Sequence, residues 1–292
     1  MELTAGQVVV FQHRFSQNDF DRFAALSRDH NPIHVDPEFS ARTRFGRTVS
    51  HGMLLYGLIS RGINALSPQM GLLQIEQEML FRYPTYTETE ISIRIEVLQF
   101  DPEHQLAQMK TTILLPEGDP ACEGKALISL AGSRADFQGI DRTESDSTVP
   151  GSLMLKHLRI GQSAEVCRTF TDRDLEEYRD LTGDTNPLFT DSGFAVKKGF
   201  RTRLIPPPLL SGMFSDLLGN RLPGSGTNWL KQNLHFSAPA YVGDEVTARV
   251  EIIRLRPEKD LVNLAGTCST GTGERVCRAQ SLVLVRDMSA GE

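Results

Sequence analysis

The sequence predicts an α+β protein in which one unit occurs twice, each copy being an antiparallel sheet wrapped around a buried central helix. Three observations support this prediction. Segments of the first half recur in the second half at a fixed separation, which indicates a tandem duplication. Each half also contains an apolar segment of helical length, and runs of alternating or β-branched residues follow it.

The duplication is visible in three pairs of matching segments, each separated by 155 positions. The pairs are "FSQNDFDRFAALS" from Phe15 with "FTDRDLEEYRDLT" from Phe170, "SRDHNPIHVD" from Ser27 with "TGDTNPLFTD" from Thr182, and "FRYPTYTETEISIRIEV" from Phe81 with "FSAPAYVGDEVTARVEI" from Phe236. One further match, Gly52-Met53 with Gly212-Met213, has a separation of 160. It predicts an insertion near 203–208 and a later deletion.

The polar segment "GSRADFQGIDRTESDSTVPGS" at 132–152 separates the two copies. Its glycine, serine and proline residues are typical of a linker. We therefore predict a first domain at 1–135 that carries the candidate catalytic loop, a linker at 136–152, and a second domain at 153–292.

Each copy is predicted to begin with a short amphipathic helix. In the first copy Ser16 can cap this helix, with Asp19 at the acidic third position. Phe20, Phe23 and Leu26 then fall on one face at helical spacing.

A turn and a buried helix follow. Proline fixes its own φ and disfavours helical backbone at the residue before it, so Asn31-Pro32 predicts a turn. The segment "HGMLLYGLISRGINAL" from His51 is apolar nearly all round, which predicts a helix buried on most sides. The runs at 90–100, 105–115 and 124–131 predict strands of one antiparallel sheet.

The composition narrows the classes of function. A net charge of −6 and a pI near 5.7 argue against general affinity for nucleic acid or anionic membranes, so we expect a small-molecule partner. The 4 cysteines form no Cys-x-x-Cys pair, which fits a reducing compartment. We find no signal-peptide pattern and no run of about 18 apolar residues. We therefore expect a soluble, cytoplasmic protein with no nucleic-acid or membrane partner.

A buried helix wrapped by an antiparallel sheet is the hotdog architecture, and here two hotdogs would lie side by side. "DHNPIHVD" from Asp29, followed by "SHGM" from Ser50, resembles the signature of the MaoC-like family, which includes the R-specific enoyl-CoA hydratases. "FSAPAYVGDEV" from Phe236 resembles the strand-entry motif of the same family. The resemblance covers nearly the whole chain, once per half. It implies a double hotdog whose halves imitate the homodimer of single-domain relatives.

The resemblance also implies an activity, the R-specific hydration of 2-enoyl-CoA to R-3-hydroxyacyl-CoA or the reverse dehydration, in fatty acid metabolism. The substrate would be a thioester of CoA or of acyl carrier protein, and neither a metal nor a redox cofactor would take part. Such a hydration needs a water held at the β-carbon, groups that move its protons, and a donor that stabilises negative charge on the thioester oxygen.

Two residues of the first loop match the catalytic pair of the family. Asp29 and His34 flank the Asn-Pro turn closely enough to hold one water between them. Asn31 is expected to support the loop through side-chain-to-backbone hydrogen bonds. For His51 we expect either packing beneath the loop or a direct role. The alternative for Asp29 and His34 is simple turn chemistry.

The start of the buried helix supplies the remaining group. Gly52 lies where free backbone N–H groups favour negative charge. The resemblance implies that its amide binds the thioester oxygen, and a glycine lets that oxygen approach closely. Met53, in the same motif, is predicted to contact substrate. Some hydratases of the family carry a hydroxyl residue where this chain has Gly57, so we expect that support to be absent.

Arg44 and Arg47 belong to a basic stretch after the loop, and we predict that they bind the phosphates of CoA. A solvated surface is the alternative. The histidine and aspartate residues around the loop match no standard spacing of metal ligands, so no metal site is predicted.

The second loop keeps Asp184, Asn186 and Pro187 but carries Phe189 at the position of His34. Phenylalanine cannot transfer a proton, so the sequence predicts one active site per chain, in the first half. Because hotdog sites lie between two units, the second half would form an apolar wall of the acyl tunnel.

Two other functions fit the same fold. Hotdog proteins often hydrolyse acyl thioesters, but such hydrolases usually place a carboxylate on the central helix, and residues 52–66 include no acidic residue. A non-catalytic acyl-thioester-binding subunit is the second alternative, which Gly57 and the altered second loop favour. The sequence also allows a homodimer of the whole chain.

Overall fold

The computed structural model describes residues 3–130, 154–155 and 157–286, so the predicted linker at 136–152 lies outside the described residues. The described chain forms a ten-stranded antiparallel sheet that packs on two central helices, one from each half. This architecture confirms the α+β prediction.

The first half contains helices α1 (Gln17–Ser27), α2 (Pro32–Val35), α3 (Pro37–Ala41) and α4 (Gly52–Leu66). Its strands are β1 (Val8–Arg14), β2 (Leu73–Phe81), β3 (Glu90–Asp101), β4 (Leu106–Leu114) and β5 (Pro120–Ser129).

The second half repeats this order. Its helices are α5 (Asp172–Thr182), α6 (Pro187–Thr190), α7 (Ser192–Lys197) and α8 (Pro207–Asp216). Its strands are β6 (Ser163–Thr169), β7 (Thr227–Phe236), β8 (Glu245–Arg256), β9 (Leu261–Thr270) and β10 (Arg275–Val285). A π-helical turn, Leu217–Arg221, extends α8.

Equivalent helices of the two halves start 155 positions apart, including the central helices, and so do the equivalent strands except β2 and β7, which start 154 apart. His51 precedes α4 and Pro206 precedes α8, so Gly52 is equivalent to Pro207. The separation of 160 and the insertion near 203–208 are therefore wrong. Gly212-Met213 lies in the middle of α8, whereas Gly52-Met53 begins α4. The true equivalence was hidden because proline suits the first helical position geometrically as well as glycine does.

The sheet runs without interruption from one half to the other, in the order β1-β3-β4-β5-β2-β7-β10-β9-β8-β6. At its centre β2 pairs with β7, and Glu78 and Lys231 form an ion pair of 3.2 Å across this junction. The predicted strands correspond to β3, β4 and β5. We did not predict β1 and β2, and β2 escaped notice because Gln74 and Gln77 are polar yet buried.

The first helix has the predicted cap. The hydroxyl of Ser16 accepts a hydrogen bond from the backbone N–H of Asp19, and the Asp19 carboxylate accepts one from the backbone N–H of Ser16 at 2.9 Å. Phe20, Phe23 and Leu26 are buried on one face, as the spacing predicts.

The helix α4 is buried along most of its length, as predicted, and it packs against α8. Arg22 of α1 and Glu177 of α5 form an ion pair of 2.6 Å between the two halves. The central helices thus hold the two halves around a shared core.

Within the described ranges we find no helix with the length and apolar character needed to cross a membrane.

Candidate active site

A cavity of about 150 Å³ lies where the two halves meet. The first half lines it with Asp29, His34 and Gly52, among other residues. The second half contributes Ser215, Leu218, Gly219 and residues 227–230. The predicted catalytic residues therefore share one cavity, and both halves are needed to enclose it.

Asp29 is 2% exposed, and its carboxylate is held on both oxygens. Oδ2 accepts a hydrogen bond from the Ser215 hydroxyl at 2.6 Å. Oδ1 accepts from the Asn220 side-chain amide at 3.2 Å and from the backbone N–H of Asn31 at 3.2 Å. These donors fix the orientation of the carboxylate, and its Oδ2 faces His34.

His34 turns its Nε2 toward this carboxylate. Its Nδ1 lies 2.7 Å from the carbonyl oxygen of Val49 and must donate to it, because a carbonyl can only accept. In the neutral ring Nε2 is then an acceptor, and it lies 3.9 Å from Asp29 Oδ2. This separation is too long for a direct hydrogen bond but suits two acceptors that share one water.

His51 packs flat beneath His34, with ring centroids 3.8 Å apart and an interplanar angle of 27°. Its Nε2 donates to the backbone carbonyl of Asp29 at 3.0 Å, which ties the start of α4 to the loop. Burial, followed by the neighbouring His34, lowers the pKa of His51 well below its usual range. His51 is therefore neutral and supports His34 as a packed, uncharged ring. A direct role of His51 in the reaction stays a prediction.

Gly52 is the first residue of α4, so its amide has no acceptor within the helix. A Cβ at this position would lie 2.9 Å from the ring of Phe81, which also lines the cavity. The close approach of this ring explains the glycine. A negatively charged oxygen in the cavity could therefore reach a free N–H at the positive end of a helix dipole.

Asn31 braces the loop in both directions. Its side-chain oxygen accepts from the backbone N–H of Ile33 at 3.3 Å, and its side-chain nitrogen donates to the carbonyl of Gly219 at 3.2 Å. These contacts cap α2 and attach the loop to the second half. Asn31 also lines the cavity, but its side-chain groups are used in this bracing.

Ser215 and Asn220, which reach Asp29 from the second half, were not predicted from the sequence. The expectation that hydroxyl support is absent is wrong, because Ser215 supplies it. A hydroxyl residue at Gly57 has no room, since a Cβ there would lie 2.6 Å from the methyl group of Thr182. The signal that could have revealed Ser215 is its equivalence with Ser60, which donates to Asp184 at 2.7 Å.

Three predicted substrate-binding residues lie outside the cavity lining. Met53 is fully buried in the core. Arg44 and Arg47 are exposed, and their guanidinium groups lie over the rings of Phe45 and Tyr86 at 4.9 and 4.3 Å. Because Phe45 lines the cavity, Arg44 is close to it.

The equivalent site of the second half is closed. Phe189 packs in an apolar cluster with Leu73 and Ile75, which are equivalent to the cavity-lining Asn228 and Leu230. Pro207, at the position of Gly52, has no N–H to donate. The second half has therefore lost the histidine, the free helix amide and the open space.

The nitrogen and oxygen atoms of Asp29, His34 and His51 lie within 4.8 Å of one another, which raises the question of a metal. The two imidazole rings are nearly parallel, and an imidazole lone pair lies in the plane of its ring. An ion bound by both rings would have to lie in both ring planes, and planes stacked 3.8 Å apart at 27° do not meet within bonding distance of the ring nitrogens. The donor set does not fit a metal.

The family follows from a comparison with known domains. The model described as "MaoC like domain" matches residues 3–116 and again 158–272. The chain belongs to the MaoC-like family. The MaoC-like domain occurs once in each half, as the repeat predicted.

Curated relatives of this MaoC-like protein include hydratases and dehydratases. The (R)-specific enoyl-CoA hydratase of Aeromonas caviae is 36% identical over 126 residues, which are 43% of this chain and 94% of that protein. The 3-hydroxybutyryl-CoA dehydratase of Methylorubrum extorquens is 35% identical over 133 residues, 46% of this chain and 84% of that protein. The MaoC-like protein is therefore a member of a hydro-lyase family.

Solved structures confirm the fold. A structure titled MaoC-like dehydratase has a TM-score of 0.76 at 15% identity and covers 97% of this chain and 98% of its own. A protein from Mycobacterium tuberculosis described as a double hotdog has a TM-score of 0.75 at 14% identity, with 97% and 96% covered. The predicted double hotdog is correct.

Proposed function

We propose that this MaoC-like protein hydrates a 2-enoyl thioester to the R-3-hydroxyacyl thioester, reversibly. The observation that supports the proposal is the pair of acceptors, Asp29 Oδ2 and His34 Nε2, set 3.9 Å apart in a cavity that also holds the free amide of Gly52. The names of the relatives favour the same chemistry, since they include both a hydratase and a dehydratase.

In the proposed reaction one water donates its two hydrogens to Asp29 and His34. Its oxygen then attacks the β-carbon while one of these residues takes a proton from the water, and this proton is then delivered to the α-carbon. Ser215 and Asn220 hold the Asp29 carboxylate toward the water. The addition is balanced: a hydroxyl joins the β-carbon, hydrogen joins the α-carbon, and no redox cofactor is needed.

Negative charge develops on the thioester oxygen when water adds to the β-carbon. We assign its stabilisation to the amide of Gly52 at the start of α4, and one such donor is typically worth about 3 kcal/mol. The substrate we propose is an acyl-CoA, with Arg44, which lies over the cavity-lining Phe45, and the exposed Arg47 as contacts for the CoA phosphates. A thioester of acyl carrier protein offers the same reacting group.

The test follows absorbance at the enoyl-thioester band with crotonyl-CoA, together with product chirality and release of free thiol. We expect loss of the band, an R product and no thiol. The Asp29→Asn and His34→Ala variants should each lower kcat by about 100-fold to 10,000-fold, because general acid–base groups contribute on that scale.

The matched control is Asp184→Asn, the same change at the equivalent buried carboxylate of the closed site. It should leave kcat within about twofold, as expected for a group remote from the reaction. Release of thiol would instead identify a hydrolase. An Asp29→Asn variant that keeps full activity would contradict the proposal.

A further inference from the structure

Trp229, the single tryptophan of the chain, lies near the start of β7 and lines the cavity together with Phe81 of the first half. Their ring centroids are 6.0 Å apart, with an angle of 46° between the planes. Both rings also pack against the main core. Trp229 is thus a large apolar wall that the second half supplies to the site.

The indole is fixed in place. Its Nε1–H donates to the side-chain oxygen of Gln232 at 3.0 Å, and the same oxygen accepts from the Ser281 hydroxyl at 2.5 Å. Gln232 is fully buried. Rotation of the indole would leave its N–H without this acceptor, so the ring cannot easily swing aside for a longer ligand.

An aromatic residue at this strand position is not required by the fold. The equivalent residue of the first half is Gln74, whose side-chain oxygen accepts a hydrogen bond from the hydroxyl of Tyr56 on α4. The residue equivalent to Tyr56 is Ser211, which is fully buried on α8. The first half therefore carries its aromatic ring on the helix, and the second half carries it on the strand, where it lines the cavity.

The remaining space is small. A cavity of about 150 Å³ holds a molecule about the size of benzene, that is, about six carbon atoms. Leu55 and Leu218 belong to the apolar lining together with Phe81 and Trp229. An acyl group that places its thioester at Gly52 has little room beyond its first carbons.

We propose that Trp229 limits the length of the acyl chain and makes this a site for short, linear acyl thioesters of about four to six carbons. The inference rests on the proposed function, which it deepens by naming the substrate class. It assigns selectivity to a residue of the half that has lost its own catalytic groups.

The first measurement is binding, which does not depend on turnover. Butyryl-, hexanoyl-, octanoyl- and decanoyl-CoA are saturated and cannot be hydrated. Their binding can be followed by the change in fluorescence of Trp229, which lines the cavity. We expect butyryl-CoA to change the emission and to bind at least about tenfold more tightly than decanoyl-CoA, because a pocket of limited size discriminates between acyl lengths on that scale.

The second measurement is the same series by calorimetry on Trp229→Val and Trp229→Phe. In Trp229→Val the affinity for decanoyl-CoA should rise by at least about tenfold while that for butyryl-CoA stays within about threefold. The affinity of Trp229→Phe for decanoyl-CoA should lie between that of the wild type and that of Trp229→Val. Trp229→Phe provides the test if Trp229→Val does not fold. The control is Tyr56→Phe in the other half, which should leave the length profile unchanged.

The outcomes separate the two proposals. Equal affinity of the wild type for all lengths, no binding of butyryl-CoA, or an unchanged profile in a folded Trp229 variant would each overturn the role of Trp229. Length-selective binding without hydration of crotonyl-CoA would uphold that role and refute the proposed hydratase instead.

Discussion

At the scale of single residues, Asp29 and Asp184 show how one scaffold supports two different carboxyl groups. Each is buried, and each accepts from a serine of the opposite central helix, Ser215 at 2.6 Å and Ser60 at 2.7 Å. Asp29 faces His34 and the cavity. Asp184 instead also accepts from the hydroxyl of Tyr178 at 3.2 Å, and burial raises its pKa. The first carboxyl is available for chemistry, and the second belongs to the core.

The raised pKa of Asp184 predicts a pH-dependent effect of Asp184→Asn on stability. The folded protein holds the Asp184 proton more tightly than the unfolded chain does, so this group's contribution is lost as pH rises from the ordinary aspartate range through the folded pKa. Asp184→Asn has no carboxyl group at this position and therefore does not lose this part of the unfolding free energy. The unfolding free energy of the variant relative to wild type should therefore increase from pH 4 to pH 7. Urea unfolding measures this difference, and a difference that stays constant with pH would argue against a raised pKa of Asp184.

The two serines that donate to Asp29 and Asp184 allow a matched pair of substitutions that each remove one hydroxyl group. Ser215→Ala removes one of the donors that orient Asp29, the one on Oδ2, and we expect kcat to fall by about 10- to 100-fold, because a displaced catalytic group costs that much. Ser60→Ala removes the equivalent bond to Asp184 and should leave kcat unchanged. Steady-state kinetics with crotonyl-CoA checks both. Similar losses in the two variants would point to a general effect on folding instead.

At the scale of elements, the starts of the two central helices differ in one chemically decisive way. Gly52 gives α4 a free N–H beside the cavity, whereas Pro207 gives α8 the same backbone geometry without a donor. The end of α8 differs as well. Its π-helical turn presents the Gly219 carbonyl to Asn31 and the Asn220 amide to Asp29, and such turns are frequent at functional sites.

Replacing Gly52 tests the role of the helix amide. Both Gly52→Ala and Gly52→Pro add a Cβ near Phe81, but only the proline removes the N–H. The effect of the donor is therefore the difference between them. We expect kcat to be lower in Gly52→Pro than in Gly52→Ala by a further factor of about 100 to 1,000. Equal rates in the two folded variants would exclude this amide as the donor to the thioester oxygen.

At the scale of the whole molecule, the two halves share a sheet and a core. β2 pairs with β7 at the centre, and the side chains of Asn31 and Asn186 each bind a backbone carbonyl of the other half, at 3.2 and 2.8 Å. The cavity exists only where both halves meet. One half thus keeps the reacting groups, and the other keeps the walls and the donors that orient them.

This shared core predicts that the halves unfold together. Calorimetry should show one transition whose van't Hoff and calorimetric enthalpies agree, because neither half can lose its sheet edge or helix contacts alone. Two separate transitions would show that each hotdog is stable by itself, and that the junction between β2 and β7 contributes little.

The sequence by itself determined much of this protein, because local patterns encode local structure. The capped first helix, the buried α4 and the Asp29–His34 loop follow from patterns within short stretches of neighbouring residues, and the repeat follows from comparing such stretches 155 positions apart. The sequence also shows directly that the second loop has Phe189 at the position equivalent to His34. These predictions needed no knowledge of which elements meet in space.

The tertiary structure alone decided what surrounds the catalytic pair. Ser215 donates to Asp29 across 186 positions of sequence, and Trp229 and Leu218 reach the cavity from the same distant half. The tautomer of His34 depends on the Val49 carbonyl, and the need for Gly57 depends on Thr182 of α5. Such contacts arise when two halves pack around one core, and no local pattern of the chain records them because their partners are brought together only by folding.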